Sequence, residues 1–390
     1  MADTLDLGNV PFYWRSKVSV ASPPLNIPSR LPFSFSCDEK LSLIIQERNP
    51  LVLDWLERVY KENANVGYLQ EGHALAQDYG GEFLEFFVEA VSMLHRSPKS
   101  AADIGCGGVY LLQRIKEMGL DVAGIDPSPI TAEAGSRAGI EIISDFYPSS
   151  KLTARFDVLF HYDVLEHVED PVAFLAAQKA NLNEGGAIVF AVPDCSHHIR
   201  LGDLSMMLHE HLNYFDEVSL DKVVRAAGFE PLLLKPAQHG GVLLCFAVPS
   251  SVAQIPTADA DDGRRKFTEF KKRARSSIAR FSALAGAISN SEDLGLYVPL
   301  RAFSYLGEAV SDHRLRFFDD DPGLHHRYYD GFDVAVENFS DLLSNPPRHL
   351  LICSIAFGDR IFDRLINASV QGVTLHKWVE LFDTADQVKL

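Results

Sequence analysis

Along the first 50 residues the hydrophobic positions keep no clear period, and Pro23, Pro24, Pro28 and Pro32 interrupt them. Such a stretch reads as extended chain wrapped on another part of the molecule. From Asn49 to Leu94 the spacing becomes helical. Leu53, Leu56, Val59 and Tyr60 share one face, and Phe83, Phe86, Phe87, Val91 and Leu94 share another.

From Ser100 onward, strand-length apolar runs alternate with helical ones. Strands are predicted at Ala101–Ile104, Asp121–Ile125, Ile140–Ile143, Phe156–Phe160 and Ala187–Val192, and helices over Val109–Met118, Pro171–Asn181 and Ser219–Ala227. Strands that alternate with helices pair in parallel, because each helix returns the chain to the same end of the sheet. The late runs Glu230–Leu234 and Val242–Ala247 flank Gly240-Gly241 and read as a closing hairpin. Next comes one long amphipathic helix over Asp259–Asn290, with Phe267, Phe270, Ala274, Ile278, Phe281 and Leu284 on its buried side. A second alternation follows, with strands at Leu296–Val298, Leu315–Phe318 and His349–Ile355 and a helix over Asp359–Asn367. The expected fold class is α/β: a Rossmann-like doubly wound sheet plus a smaller C-terminal Rossmann-like α/β domain. The expected division is an N-terminal extension over 1–64, the main domain over 65–255, a linker helix over 256–292 and the C-terminal domain over 293–390.

Charge narrows the partners. With 53 acidic against 36 basic residues the formal net charge is −17, and phosphate backbones need clustered bases, so no nucleic-acid partner is expected. The N-terminus is acidic and lacks the charged-then-apolar pattern of a secretory signal. The longest apolar runs are strand-sized, so no membrane association is expected. Five scattered cysteines, with no C-x-x-C pair, fit a reducing cytoplasm.

The candidate chemistry begins at the turn after the first strand, Asp103-Ile104-Gly105-Cys106-Gly107-Gly108. In an open parallel sheet a cofactor sits beyond the carboxyl ends of the strands, and glycines let it approach the backbone. The next strand ends in Asp126, placed to bond both ribose hydroxyls. A dinucleotide fingerprint wants a third glycine, but Tyr110 holds that position, and Asp103 would repel a pyrophosphate. S-adenosylmethionine has no phosphate and carries an ammonium and a sulfonium, which a carboxylate favours. The sign of the charge therefore selects S-adenosylmethionine, cradled by Asp103, Gly105, Cys106, Gly107 and Asp126.

The segment Phe156–Val168 resembles the strand and turn that line this pocket in class I methyltransferases. By that resemblance His161–Val164 form one wall, with Tyr162 in the cofactor site, and Asp145 meets the adenine amino group. Glu166-His167 reads as an anchor for the start of the following helix. Further on, Glu210-His211-Leu212-Asn213-Tyr214-Phe215 and the turn His239-Gly240-Gly241 resemble the deoxysugar C-methyltransferases, which act on C-3 of nucleotide-linked keto sugars. Arg316–Pro322, Tyr329–Val334 and Leu350–Cys353 follow in that family's order, so the resemblance spans residues 65–390. It departs in two places. The family's four-cysteine zinc segment is missing, with only Cys37 before residue 100, and Val298-Pro299-Leu300-Arg301 replaces a Gly-rich turn.

The resemblance implies methyl transfer to carbon through an enolate, and that needs a base. His211 is the candidate, with Glu210 to orient or replace it, and Tyr214 or Tyr68 to donate to the enolate oxygen. The acceptor is a small molecule, with a nucleotide-linked sugar one option. Transfer to oxygen or nitrogen of another small molecule is the alternative, and a non-catalytic protein-binding relative a further one. Cys195, His197, His198, His209 and His211 match no common zinc spacing, so no metal is expected.

Overall fold

The computed structural model describes residues 3–12, 16–17, 19, 28–61, 74–238, 240–251, 260–288, 292–307, 314–355 and 357–382. The chain forms two compact units, one made of residues 37–196 and 210–264, the other of 1–36, 197–209 and 265–390. The units interleave along the chain, unlike the linear division expected from the sequence.

The first unit is built on a seven-stranded sheet: β1 (Ser100–Ile104), β2 (Asp121–Ile125), β3 (Glu141–Ile143), β4 (Phe156–Tyr162), β5 (Leu182–Pro193), β6 (Phe229–Pro236) and β7 (Val242–Pro249), in the order β6-β7-β5-β4-β1-β2-β3. Strands β1 to β5 pair in parallel, while β7 runs antiparallel to both β5 and β6, as a hairpin inserted next to β5. The order reverses between β1 and β4, so the switch point lies beyond the ends of those two strands.

Helices cover both faces because the strands are apolar on both. Along β5, Ala187, Val189 and Ala191 face one core, shared with Phe83 and Phe87 of α2 (Ala74–Ser92), which follows α1 (Pro50–Lys61), and with Leu112 and Ile115 of α3 (Tyr110–Glu117). Ile188, Phe190 and Val192 face the other, shared with Phe174 and Leu175 of α4 (Pro171–Gln178) and Leu220 and Val223 of α5 (Glu217–Ala226). Asp170 caps α4 by accepting from the Ala173 amide at 2.9 Å, and Asp216 with Ser219 forms a capping box on α5. Glu166-His167 therefore does not anchor α4. It lies in a separate 3-10 turn, Leu165–His167, and its side chains are left for other contacts.

The second unit carries a five-stranded parallel sheet of Asp293–Tyr297, Arg314–Phe318, Val336–Glu337, His349–Ile352 and Thr374–Lys377, with Asp293–Tyr297 at its centre. The long helix expected from its periodicity runs over Ala260–Ala287 and buries Phe267, Phe270, Ala274 and Phe281. Contrary to the sequence reading, the N-terminal stretch holds regular structure. Leu5–Pro11 pairs antiparallel with Arg30–Asp38, whose Leu31, Phe33 and Phe35 all point inward. Pro32 is accommodated opposite Asn9, where the register shifts past Gly8. No helix among the described residues is long and apolar enough to cross a membrane.

The start of β4 is fixed to its neighbours by one carboxylate. Asp157 accepts from the Lys99 amide at 2.8 Å, from Arg96 at 2.9 Å and from the Asn183 side chain at 2.9 Å. Asp157→Ala strands these donors. It is expected to lower unfolding free energy by about 2–3 kcal/mol in urea denaturation, given that bonds to a charged group contribute about 1.5–3 kcal/mol.

Candidate active site at the carboxyl ends of the central strands

The turn after β1 takes the shape its glycines allow. Gly105 (φ +70°) and Gly107 (φ +56°) are both left-handed, and the Gly105 amide donates to the Ile125 carbonyl at 2.7 Å. Asp126, at the end of β2, holds the turn from the other side. Its Oδ2 accepts from the Gly107 amide and its Oδ1 from the Ser128 amide, each at 2.8 Å. Each oxygen keeps a second lone pair for a ligand. Burial pushes the Asp126 carboxyl up against the pull of those two amides. Asp103, only 3% exposed, is pushed well up by burial first and by the Asp126 charge second. Two like charges share one recess, an arrangement that a cationic group relieves. Cys106 turns its sulfur beneath the loop, where a Cβ on Gly124 would meet it at 2.9 Å, so the residue presents backbone to the recess. Burial pushes its thiol well up.

Tyr162 ends β4 with its ring edge-on to Phe83 at 5.3 Å, and burial raises its hydroxyl. Its neighbour His161 turns the opposite way into the core, stacked on Phe190 at 4.7 Å. Asp145 lies two residues beyond β3. It accepts from the Ser149 hydroxyl at 2.7 Å, which holds its carboxyl below the usual range, and pairs with Lys151 at 3.4 Å.

A second cluster lies next to the glycine turn. A Cβ on Gly105 would come within 2.8 Å of a Val164 methyl, so the turn rests directly on the segment that follows β4. Asp163 there adopts φ +54°. Solvent reaches it, yet lost hydration pushes its carboxyl up to about 7, as on the wall of a cleft. Glu166 is 1% exposed, neither of its oxygens has a hydrogen-bond partner, and its carboxyl is pushed well up by burial and then by Asp163. The Glu210 carbonyl takes a hydrogen bond from His167 Nδ1 at 2.8 Å. A carbonyl can only accept, so Nε2 of the imidazole keeps its lone pair and faces Glu166 Oε1 at 3.5 Å. The His167 and His211 rings meet edge-on at 5.0 Å. Burial raises the Glu210 carboxyl to about 8.

Backbone bonds bring these residues together from distant sequence. The Leu212 amide donates to the Glu166 carbonyl at 2.7 Å, and Asn213 donates to the Val168 carbonyl at 2.7 Å. Arg48 donates to the Leu212 carbonyl, the Glu169 carbonyl and the Asn213 side chain at 2.7, 2.7 and 2.9 Å.

The structure thus places His211 and Glu210 beside Glu166, His167 and Asp163. Tyr214 is fully buried in a short strand opposite Ile44, and burial pushes its hydroxyl well up. Tyr68 and His239 lie outside the described residues. His209 belongs to the other unit, stacked on Phe33 at 4.4 Å with its Nε2 3.2 Å from the Leu31 carbonyl. Sequence reasoning took Glu166-His167 for a helix anchor and Asp163 for part of the cofactor wall, and gave no site role to Tyr60, whose hydroxyl lies 3.2 Å from His167 Nδ1. The adjacent acid and base in Asp163-Val164-Leu165-Glu166-His167 were the signal available.

The contact between turn and cluster is testable by a double mutant. Gly105→Ala is expected to cost about 2 kcal/mol or more of stability, from the left-handed φ and the Val164 clash. Gly105→Ala with Val164→Ala should recover part of that cost in denaturant melts, leaving the backbone share.

A family model described as a methyltransferase domain matches residues 74–234, which span β1 to β5 and most of β6. Among curated proteins, the chain is 29% identical over 207 residues to a ubiquinone biosynthesis O-methyltransferase of Psychrobacter arcticus, covering 47% of this chain and 72% of that protein. It is 29% identical over 147 residues to one of Cereibacter sphaeroides, covering 33% of this chain and 60% of that protein. Among solved structures, the 1,6-didemethyltoxoflavin-N1-methyltransferase of Burkholderia thailandensis with S-adenosylhomocysteine is similar at 18% identity and a TM-score of 0.38, covering 54% of this chain and 96% of that one. With the glycine turn and its two carboxylates at the switch point of a methyltransferase sheet, the chain is an S-adenosylmethionine-dependent methyltransferase.

Proposed function

We propose that the enzyme methylates an oxygen of a small organic acceptor bound over the Asp163–His167 segment, with Glu210 as the base. The observation that carries this reading is the approach of Gly105 to Val164, which sets the cofactor turn against the acid–base cluster. S-adenosylmethionine supplies a methyl group on a positive sulfur, an electrophile that needs no further activation. In this reading Asp103 receives the ammonium, Asp126 the ribose hydroxyls, and Tyr162 and Asp145 flank the adenine. The backbone of Gly105, Cys106 and Gly107 permits close approach.

What remains for the protein is to place the acceptor oxygen in line and remove its proton. Glu210 lies close to Tyr60 and Glu166, whose groups feel its charge. A carboxylate kept from water holds a proton more tightly, which suits it to accept one from an acidic hydroxyl. The relatives that match over the domain carry names for O-methyl transfer, which supports oxygen as the receiving atom. The second reading is C-methylation of a keto sugar or related carbonyl compound, favoured by the likeness of Glu210–Phe215 to the sugar C-methyltransferases. Both readings use the same base, since an enolate and an oxyanion are each formed by loss of one proton.

The test uses labelled methyl donor with a panel of phenols, catechols and enolisable ketones. Glu210→Gln is expected to lower kcat by roughly 100-fold or more while S-adenosylmethionine affinity stays within about twofold. Undiminished turnover in that variant would remove Glu210 from the reaction. Solvent deuterium entering the acceptor carbon before methyl transfer would favour the carbon reading over the oxygen one.

A further inference from the structure

We propose that Glu166, His167 and His211 bind a divalent transition-metal ion of the zinc class in the acceptor cleft. Each of these residues offers one ligand atom, and the three atoms lie within 4.8 Å of one another. Donors around one zinc sit about 2.0–2.2 Å from the ion, so any two are about 4 Å apart at most. In the tetrahedral arrangement that separation is about 3.3–3.6 Å, so side-chain rotations that move the ligand atoms by about an ångström bring this set into range.

Three further features point to an ion. Glu166 is 1% exposed and makes no hydrogen bond through either oxygen. A buried carboxylate without a donor is costly, and such groups are ordinarily paired or bound to metal. The His167 tautomer is the one a ligand needs. Its Nδ1–H is spent on the Glu210 carbonyl at 2.8 Å, so the Nε2 lone pair is directed at the Glu166 carboxylate, 3.5 Å away. Two acceptor atoms that face each other need a proton or a metal cation between them, and an ion in that place would be held by both. A histidine whose second nitrogen donates to a backbone carbonyl is also the usual outer-shell arrangement of metal sites. Finally, the ligands are held before any ion arrives, because the Leu212 amide on the Glu166 carbonyl ties the loop bearing His211 to the turn bearing Glu166 and His167.

The donor set selects the ion. Two imidazoles with one carboxylate suit zinc, cobalt or manganese, whereas magnesium and calcium favour sites made only of oxygen. Three protein ligands leave a position open, as in catalytic rather than structural zinc sites. If the acceptor binds as proposed above, its oxygen would take that position.

The test reads metal binding without methyl transfer, so it can fail while the methylation reading stands, and the reverse. Full-length protein stripped with chelator is titrated with zinc and, separately, with cobalt(II). Expected is one zinc per chain by elemental analysis, together with visible cobalt d–d absorption that lacks thiolate charge-transfer bands. Glu166→Gln, which keeps the side-chain shape, and His211→Ala should each weaken zinc affinity roughly 100-fold or more, with unchanged far-ultraviolet circular dichroism. Should His211→Ala misfold, Glu166→Gln alone decides the matter. No stoichiometric zinc in the wild type, zinc retained at full affinity by Glu166→Gln, or thiolate bands that place the ion on cysteine would overturn the proposal.

Discussion

Five carboxyl groups, those of Asp103, Asp126, Asp163, Glu166 and Glu210, are all raised by loss of hydration along the carboxyl ends of β1, β2 and β4 and the facing loop. Keeping so many acids from water costs stability, and a fold retains such a cost where a ligand removes it. The two ends of the cleft differ in what they ask for. The paired carboxylates of Asp103 and Asp126 suit a cationic, hydroxylated ligand. Glu166 is backed by two imidazoles and asks for a compact point charge. The acidic balance of the cleft thus organises both halves of its chemistry.

Backbone hydrogen bonds hold these acids in place, which a side chain in a mobile loop could not do. Asp126 is fixed by the Gly107 and Ser128 amides, so the glycine turn and this carboxylate form one rigid object. The loop at 210–214 is tied to the turn at 165–169 by Leu212, Asn213 and Arg48. Gly105 then couples the two regions sterically through Val164. Catalytic precision of a few tenths of an ångström needs such supporting contacts.

Much of this was legible in the sequence. The alternation of strands and helices, the closing hairpin and the long helix over Ala260–Ala287 follow from periodicity alone, and the tight turn after β1 follows from its glycine spacing. What escaped has identifiable causes. The strand Arg30–Asp38 hid behind Pro32, which a register shift tolerates. The interleaving of the two units rests on long-range contacts that no local period encodes. Glu166-His167 looked like a helix anchor because Asp170, the residue that caps α4, follows so closely. Their partner His211 lies more than forty positions away, in a loop tied to Glu166 by the Leu212 amide. Conversely, His209 and His211, two apart in sequence, end in different compact units.

Calorimetric titration of S-adenosylmethionine into wild-type protein and Asp126→Asn tests the central claim most directly. The account predicts one site of roughly micromolar affinity in the wild type, weakened by about tenfold or more in a variant that still folds. Absence of binding by folded wild-type protein, or equal binding by both, would contradict the placement of the cofactor at the β1 turn.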